Sequence, residues 1–281
     1  MASIATGVRS GEHGLVGYTV LDSISGERIN LLSGWEQSDA DPADWKRRDT
    51  LAEQNPGSVV VVAPKAYQTS GFSTLTLAGA AYNGADDLEE RFGLATKLAT
   101  PGKVVYLYVP ELDQLGHRFG PRSDQWVDAL EQLDALVKQL VASATTVVLT
   151  ADHGMVQVGP NDHIYLETCS SLASIGFATA GDTRCAYLYL DAPDAVSSVA
   201  AALQAELEST CVVATWADLV AQGWQTAGES RARTPDLVVL AVGEVALYDR
   251  RSAKPQSLKM LGHHGSFTDA ETRVPLIRWN V

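Results

Sequence analysis

At 281 residues, with 46% hydrophobic and 20% charged side chains, the chain can bury one large core and is neither fibrous nor extensively disordered. Its 34 acidic against 21 basic residues leave a formal net charge of -13, which disfavours a general binder of the phosphate backbone, so no nucleic-acid duplex is expected as partner. The three cysteines, Cys169, Cys185 and Cys211, form no C-x-x-C pair, and no apolar run nears the roughly 18 residues that span a bilayer; a reducing, cytoplasmic compartment and no membrane partner are expected.

In chain order, residues 39–44, with Pro42 inside, read as a surface loop. Residues 58–63 and 104–109 are Val-, Leu- and Tyr-rich runs of strand length. A helix follows Ser123, a suitable N-cap, and continues to about Val141, with Trp126, Leu130, Leu133, Val137 and Leu140 at spacings of three and four. A further apolar run, 145–150, completes a strand, helix, strand unit of crossover length. From 163 to 233 the texture changes to shorter strands, 185–190 and 211–216, around an Ala-rich helix, 192–207, which reads as a small α+β excursion or subdomain. Residues 228–235 form a polar loop, 236–242 another apolar strand and 274–279 a final one. Because the strands are almost continuously apolar, the sheet should be covered on both faces. The expected fold is therefore one α/β domain over 1–281, a mostly parallel sheet flanked by helices.

Three short segments carry chemistry. Asp113 and His117 follow the strand 104–109 and stand four residues apart, so one helical turn can aim a carboxylate and an imidazole at one ion. A capping Asp beside an unrelated His would read the same way. Asp152 and His153 follow the strand 145–150, where a turn eased by Gly154 can point both inward. An Asp opening a loop, with a His bonded to backbone, is the plain alternative. His263 and His264, bounded by Gly262 and Gly265, suit close approach to a metal or a phosphate, or else a solvated loop. Their joint occurrence is more specific than any one of them, because four of the six histidines gather in these segments.

The strings YVPELDQLGHRFGP (108–121), LTADHGM (149–155) and GHHGS (262–266) resemble, in order and approximate spacing, the nucleotide pyrophosphatase/phosphodiesterase group of the alkaline phosphatase superfamily. GEHGLVGYT (11–19) resembles the segment after that family's nucleophile. The resemblance implies a two-zinc hydrolase of phosphodiester or nucleotide pyrophosphate bonds acting on a small nucleotide or phosphodiester. One zinc would be held by Asp113, His117 and His264, and Asp152 and His153 would be two ligands of the other. The family's remaining Asp, from a first-strand D-G motif, and its Thr or Ser nucleophile find no match. By this alignment the nucleophile falls about one helical turn before Met1.

The sequence is accordingly expected to be N-terminally incomplete, to lack the first strand of the sheet, to hold at most one well-occupied zinc, and to turn over very slowly. Ser3 and Thr6 match positions after the nucleophile and are not promoted to that role. An inactive metal- or ligand-binding remnant is the alternative, as is a phosphomonoesterase or phosphonate hydrolase of the same superfamily. A sulfatase is disfavoured, since no cysteine lies in a C-x-P-x-R context. His13 is expected to shape a turn, His163 to lie at the surface, and Trp35 and Trp45 to pack in the core.

Overall fold

The computed structural model describes residues 1–143, 146–223, 225 and 234–280; most of the loop anticipated at 228–235 lies outside them. The chain opens with α1 (Ala2–Thr6), α2 (Ser10–His13), β1 (Thr19–Leu21), β2 (Arg28–Asn30) and α3 (Leu51–Gln54). Next come β3 (Val59–Ala63), α4 (Gly71–Thr76), β4 (Ala81–Gly84), α5 (Leu88–Leu98), β5 (Val104–Leu107), α6 (Glu111–Phe119), α7 (Asp124–Ser143) and β6 (Thr146–Thr150). The second half contains β7 (Val156–Gln157), β8 (His163–Tyr165), β9 (Phe177–Asp182), β10 (Cys185–Leu190), α8 (Val196–Leu207), β11 (Cys211–Ala214) and α9 (Trp216–Ala221). It closes with β12 (Leu237–Ala241), β13 (Ala246–Tyr248), β14 (Gly262–His263), α10 (Asp269–Thr272) and β15 (Leu276–Asn280).

The fold is mixed α/β. Strands β4-β3-β5 form the expected parallel sheet, with the valines of β3 at its centre and α5 packed against it. Asp87 starts α5, its Oδ1 accepting from Glu90 N at 2.8 Å. Two expectations need correction. The largest sheet, in order β11-β12-β10-β9-β1-β2, is antiparallel throughout. Its strand β12 reads as parallel in sequence because the sheet is covered on both sides: Tyr187, Tyr189, Val238 and Leu240 face one core, while Leu188, Leu190, Leu237 and Val239 face another. Secondly, β5 pairs with β3 and β6 pairs antiparallel with β15, so the segment 104–150 is not a crossover between paired neighbours. Val104 and Val148 on these strands are 62% and 57% exposed.

Ser123 caps α7, its Oγ accepting from Trp126 N at 3.3 Å. The helix buries Leu136, and Leu130 from the anticipated stripe faces solvent. Trp35 and Trp45 are core residues in edge-to-face contact at 5.5 Å. His163 is not a surface-loop residue. It begins β8, parallel to β13, with its ring against Tyr248 at 4.8 Å and its Nε2 buried without a hydrogen-bond partner. Among the described residues no helix is long and apolar enough to cross a membrane.

Candidate metal centre

Three backbone junctions bring the motifs together. Strands β7 and β14 pair antiparallel, Gly262 opposite Gln157 and His263 opposite Val156, so the segment after His153 runs beside the one before His264. Helix α6 then docks on β14, with Leu261 N donating to His117 O at 2.8 Å. This approach leaves no room for side chains. A Cβ on Gly262 would stand 2.3 Å from both Gly116 O and Met155 Sδ. The turn after His153 is fixed by Gly154 N donating to Glu271 O at 2.7 Å. Gly154 is required there because a Cβ would lie 2.1 Å from Ala270 O, a reason of packing rather than of turn geometry.

On this frame all five anticipated ligands converge. The candidate ligand atoms of Asp113, His117 and His264 lie within 4.8 Å of one another. Asp113 Oδ1 is 3.3 Å from His117 Nε2, 3.6 Å from His264 Nε2 and 4.0 Å from His153 Nε2. The His153 and His264 rings stack at 3.6 Å, and Asp152 Oδ1 is 3.8 Å from His153 Nε2.

Hydrogen bonds decide which ring nitrogens are free. His117 Nδ1 lies 2.8 Å from Gly262 O, and His153 Nδ1 lies 2.9 Å from Gly154 O. A carbonyl only accepts, so each Nδ1 carries a proton, and each ring turns its Nε2 toward Asp113. Asp113 Oδ1 is buried and has no hydrogen-bond partner, with His117 Nε2 3.3 Å away. A buried carboxylate oxygen with three imidazole nitrogens turned toward it is stabilised by positive charge among them, whether protons on the rings or a bound cation. Oxygen and imidazole donors in this number suit zinc or a similar divalent ion.

Charge follows the same pattern. Burial pushes the Asp113 carboxyl up, but His117, His264 and His153 together hold it below its ordinary value. Burial lowers the His264 imidazole, and raises Tyr106 to about 12 and Tyr108 further, with the Asp152 carboxylate adding to both phenols. The half-buried Met1 amine at the start of α1 also feels Asp152, which partly offsets the lowering by burial.

The remaining histidines are structural. His13 accepts from Leu15 N at Nδ1 and meets Ser3 Oγ at 3.0 Å through Nε2, which shapes the turn after α2. His263 is fully buried between Thr183 Oγ1 and Met260 O, and burial lowers its pKa to about 4. Sequence reading passed over Asp182, Arg184 and Glu271. Asp182 Oδ2 lies 4.0 Å from His264 Nδ1. Arg184 and Glu271 form a buried two-pronged ion pair at 2.9 and 2.8 Å.

The family model for type I phosphodiesterase / nucleotide pyrophosphatase matches residues 1–267. Among curated proteins, bis(5'-adenosyl)-triphosphatase enpp4 of Mus musculus is 26% identical over 193 residues, which cover 59% of this chain and 39% of that protein. The Homo sapiens counterpart is 25% identical over 193 residues, covering 59% of this chain and 40% of that protein. The chain thus spans about two fifths of the length of these relatives. Human ectonucleotide pyrophosphatase / phosphodiesterase 5 superposes with a TM-score of 0.72 at 15% identity, over 99% of this chain and 74% of that one. An inactive variant of the murine protein, solved in complex with AMP, gives 0.73 at 16% identity, over 99% of this chain and 74% of that one. These superpositions show the shared fold.

Proposed function

The chain belongs to the type I phosphodiesterase / nucleotide pyrophosphatase family, and from that premise we propose that it hydrolyses phosphodiester or nucleotide pyrophosphate bonds at a divalent-metal centre. The observation that carries this reading is Asp113 Oδ1, buried and without a hydrogen-bond partner while three imidazole Nε2 atoms face it. Asp113, His117 and His264 would hold one zinc, and Asp152 and His153 would contribute to a second. When bound, such ions polarise the phosphoryl group and neutralise charge building on its oxygens.

The chain's own part is preorganisation. Gly262 O and Gly154 O hold the His117 and His153 rings in place, so these two side chains need not reorient when substrate arrives. Tyr106 and Tyr108 stay protonated at neutral pH and add no negative charge beside an anionic substrate. The AMP complex of the murine relative supports a nucleotide as the ligand class.

A second reading, a metal-binding protein without turnover, has one observation in its favour. The hydroxyls of α1 are engaged locally, Ser3 with His13 and Thr6 with Ala2 O, so neither is presented as a nucleophile. The test is zinc content together with hydrolysis of bis(p-nitrophenyl) phosphate, for the wild type, Asp113→Ala and His264→Ala. Zinc-dependent turnover lost in both variants supports the hydrolase, whereas undiminished turnover in both refutes this site. Zinc bound without turnover favours the second reading.

A further inference from the structure

The three imidazoles at the centre differ in how their far nitrogens are held. His117 and His153 each give Nδ1 to a backbone carbonyl, at 2.8 and 2.9 Å. His264 has no such carbonyl among the described residues. Its Nδ1 faces Asp182 Oδ2 at 4.0 Å, an ion-pair distance that a shift of about 1 Å would make a hydrogen bond. Contacts of this kind are often long in ligand-free sites and shorten when the ligand arrives. Asp182 Oδ2 takes no other hydrogen bond among the described residues, because Thr183 N and Oγ1 both go to Oδ1, at 2.6 and 3.4 Å.

The turn that carries Asp182 is fixed by its next two residues. Thr183 Oγ1 meets His263 Nδ1 at 2.9 Å. Arg184 grips Glu271, which also accepts from Ser266 N at 2.9 Å. Thr183 directly, and Arg184 through Glu271 and Ser266 N, thus tie the β9–β10 turn to the segment that bears His264. Gly265, at φ +123 and with its Cβ position 3.2 Å from Asp182 Cβ, lets that segment lie directly on the turn.

We propose that Asp182 is a positioning residue of the metal centre: it accepts a hydrogen bond from His264 Nδ1, fixing the ring so that Nε2 is presented toward Asp113. A carboxylate behind a ligating imidazole sets its tautomer and raises its basicity, and losing such a partner weakens metal binding about 10- to 100-fold. The proposal rests on the metal-centre reading above, and its test separates the two.

In the metal-free full chain at pH 8, imidazole ¹⁵N spectra should show His264 protonated at Nδ1 in the wild type, and a shift toward the Nε2–H tautomer in Asp182→Ala. Zinc titration should give a Kd about 10- to 100-fold weaker for Asp182→Ala. Asp182→Asn, whose amide oxygen still accepts, should recover most of the affinity and the wild-type tautomer. An unchanged tautomer together with unchanged zinc affinity in Asp182→Ala overturns the proposal. If the wild type binds no zinc, the metal reading fails; the tautomer shift then still upholds the orienting role, and its absence refutes it.

Discussion

Arg184→Leu should cost about 3–5 kcal/mol of stability, the range for breaking one side of a buried, hydrogen-bonded ion pair. Arg184 is fully buried, and it donates to Glu271 at 2.9 and 2.8 Å, to Gly243 O at 2.7 Å and to Val245 O at 2.8 Å. Leucine strands those two carbonyls and leaves the Glu271 carboxylate buried with Ser266 N and Thr268 Oγ1 as its donors among the described residues. With a urea m-value of about 3 kcal/mol/M for a chain of this size, the midpoint should fall by about 1–2 M. The double variant Arg184→Leu/Glu271→Leu is the discriminating case. Replacing both charges with apolar groups removes the uncompensated carboxylate, so the double variant should be more stable than Arg184→Leu alone. It should still fall short of the wild type by about 1–2 kcal/mol, because the donors from Ser266 and Thr268 lose their acceptor. The reasoning fails if Arg184→Leu costs less than about 1 kcal/mol, or if the two losses simply add.

The same pair fixes a pH dependence. Burial pushes Glu271 up, but Arg184, Thr268 and Ser266 outweigh it and hold the carboxyl below 4.5, so its contribution is complete above that pH and disappears as pH falls through the folded value. The stability gap between wild type and Glu271→Gln should therefore be constant above pH 5 and close below pH 4.5, as read by urea melts across that range; a gap that widens in acid contradicts the sign. Gly262→Ala should destabilise the fold by about 1–3 kcal/mol and weaken zinc binding, since its Cβ would stand 2.3 Å from Gly116 O; a variant with unchanged Tm would show that α6 can move away freely. Zinc at a hundred times its Kd should stabilise the wild type by about 2.7 kcal/mol and Asp113→Ala hardly at all, and equal gains in a thermal-shift assay would place the ion elsewhere. Leu276→Glu, at a residue 78% exposed, should change stability by less than about 0.5 kcal/mol in urea melts, and a larger loss would show that Leu276 packs against the fold.

What the sequence disclosed follows from which interactions are local. Asp113 and His117 are one helical turn apart, and Asp152 with His153 sits just past an apolar strand, so ligand type and spacing are visible without the fold. β3, β5, β10 and β12 were likewise legible as apolar runs, but their partners were not. A strand buried on both faces has the same composition whether its neighbours run parallel or antiparallel, which is why β12 misled. His163 followed Asn161 and Asp162 and read as loop, although β13 pairs with it from 83 residues further on (Ala246 opposite His163). Asp182, Arg184 and Glu271 gave no signal at all. Arg184 and Glu271 meet across 87 positions, and a lone Arg or Glu has no spacing pattern to betray it.

The charge balance and the site bear on one another. A chain of net charge -13 repels phosphate on average, and the centre sharpens that repulsion by gathering Asp113, Asp152 and Asp182 around imidazoles whose protons are turned away. An anion entering such a site meets carboxylates, and among the described residues no lysine or arginine contacts them. Coulomb repulsion between unit charges 4 Å apart is about 4 kcal/mol at an effective dielectric of 20, so even one unneutralised carboxylate is enough to exclude a phosphate. The same side chains become a receptor once divalent cations reverse the local sign. Binding of a nucleotide should therefore be conditional on metal: AMP affinity measured by calorimetry should be undetectable in chelator and appear on adding zinc. Equal affinity in both conditions would mean that the anion is recognised somewhere other than this centre.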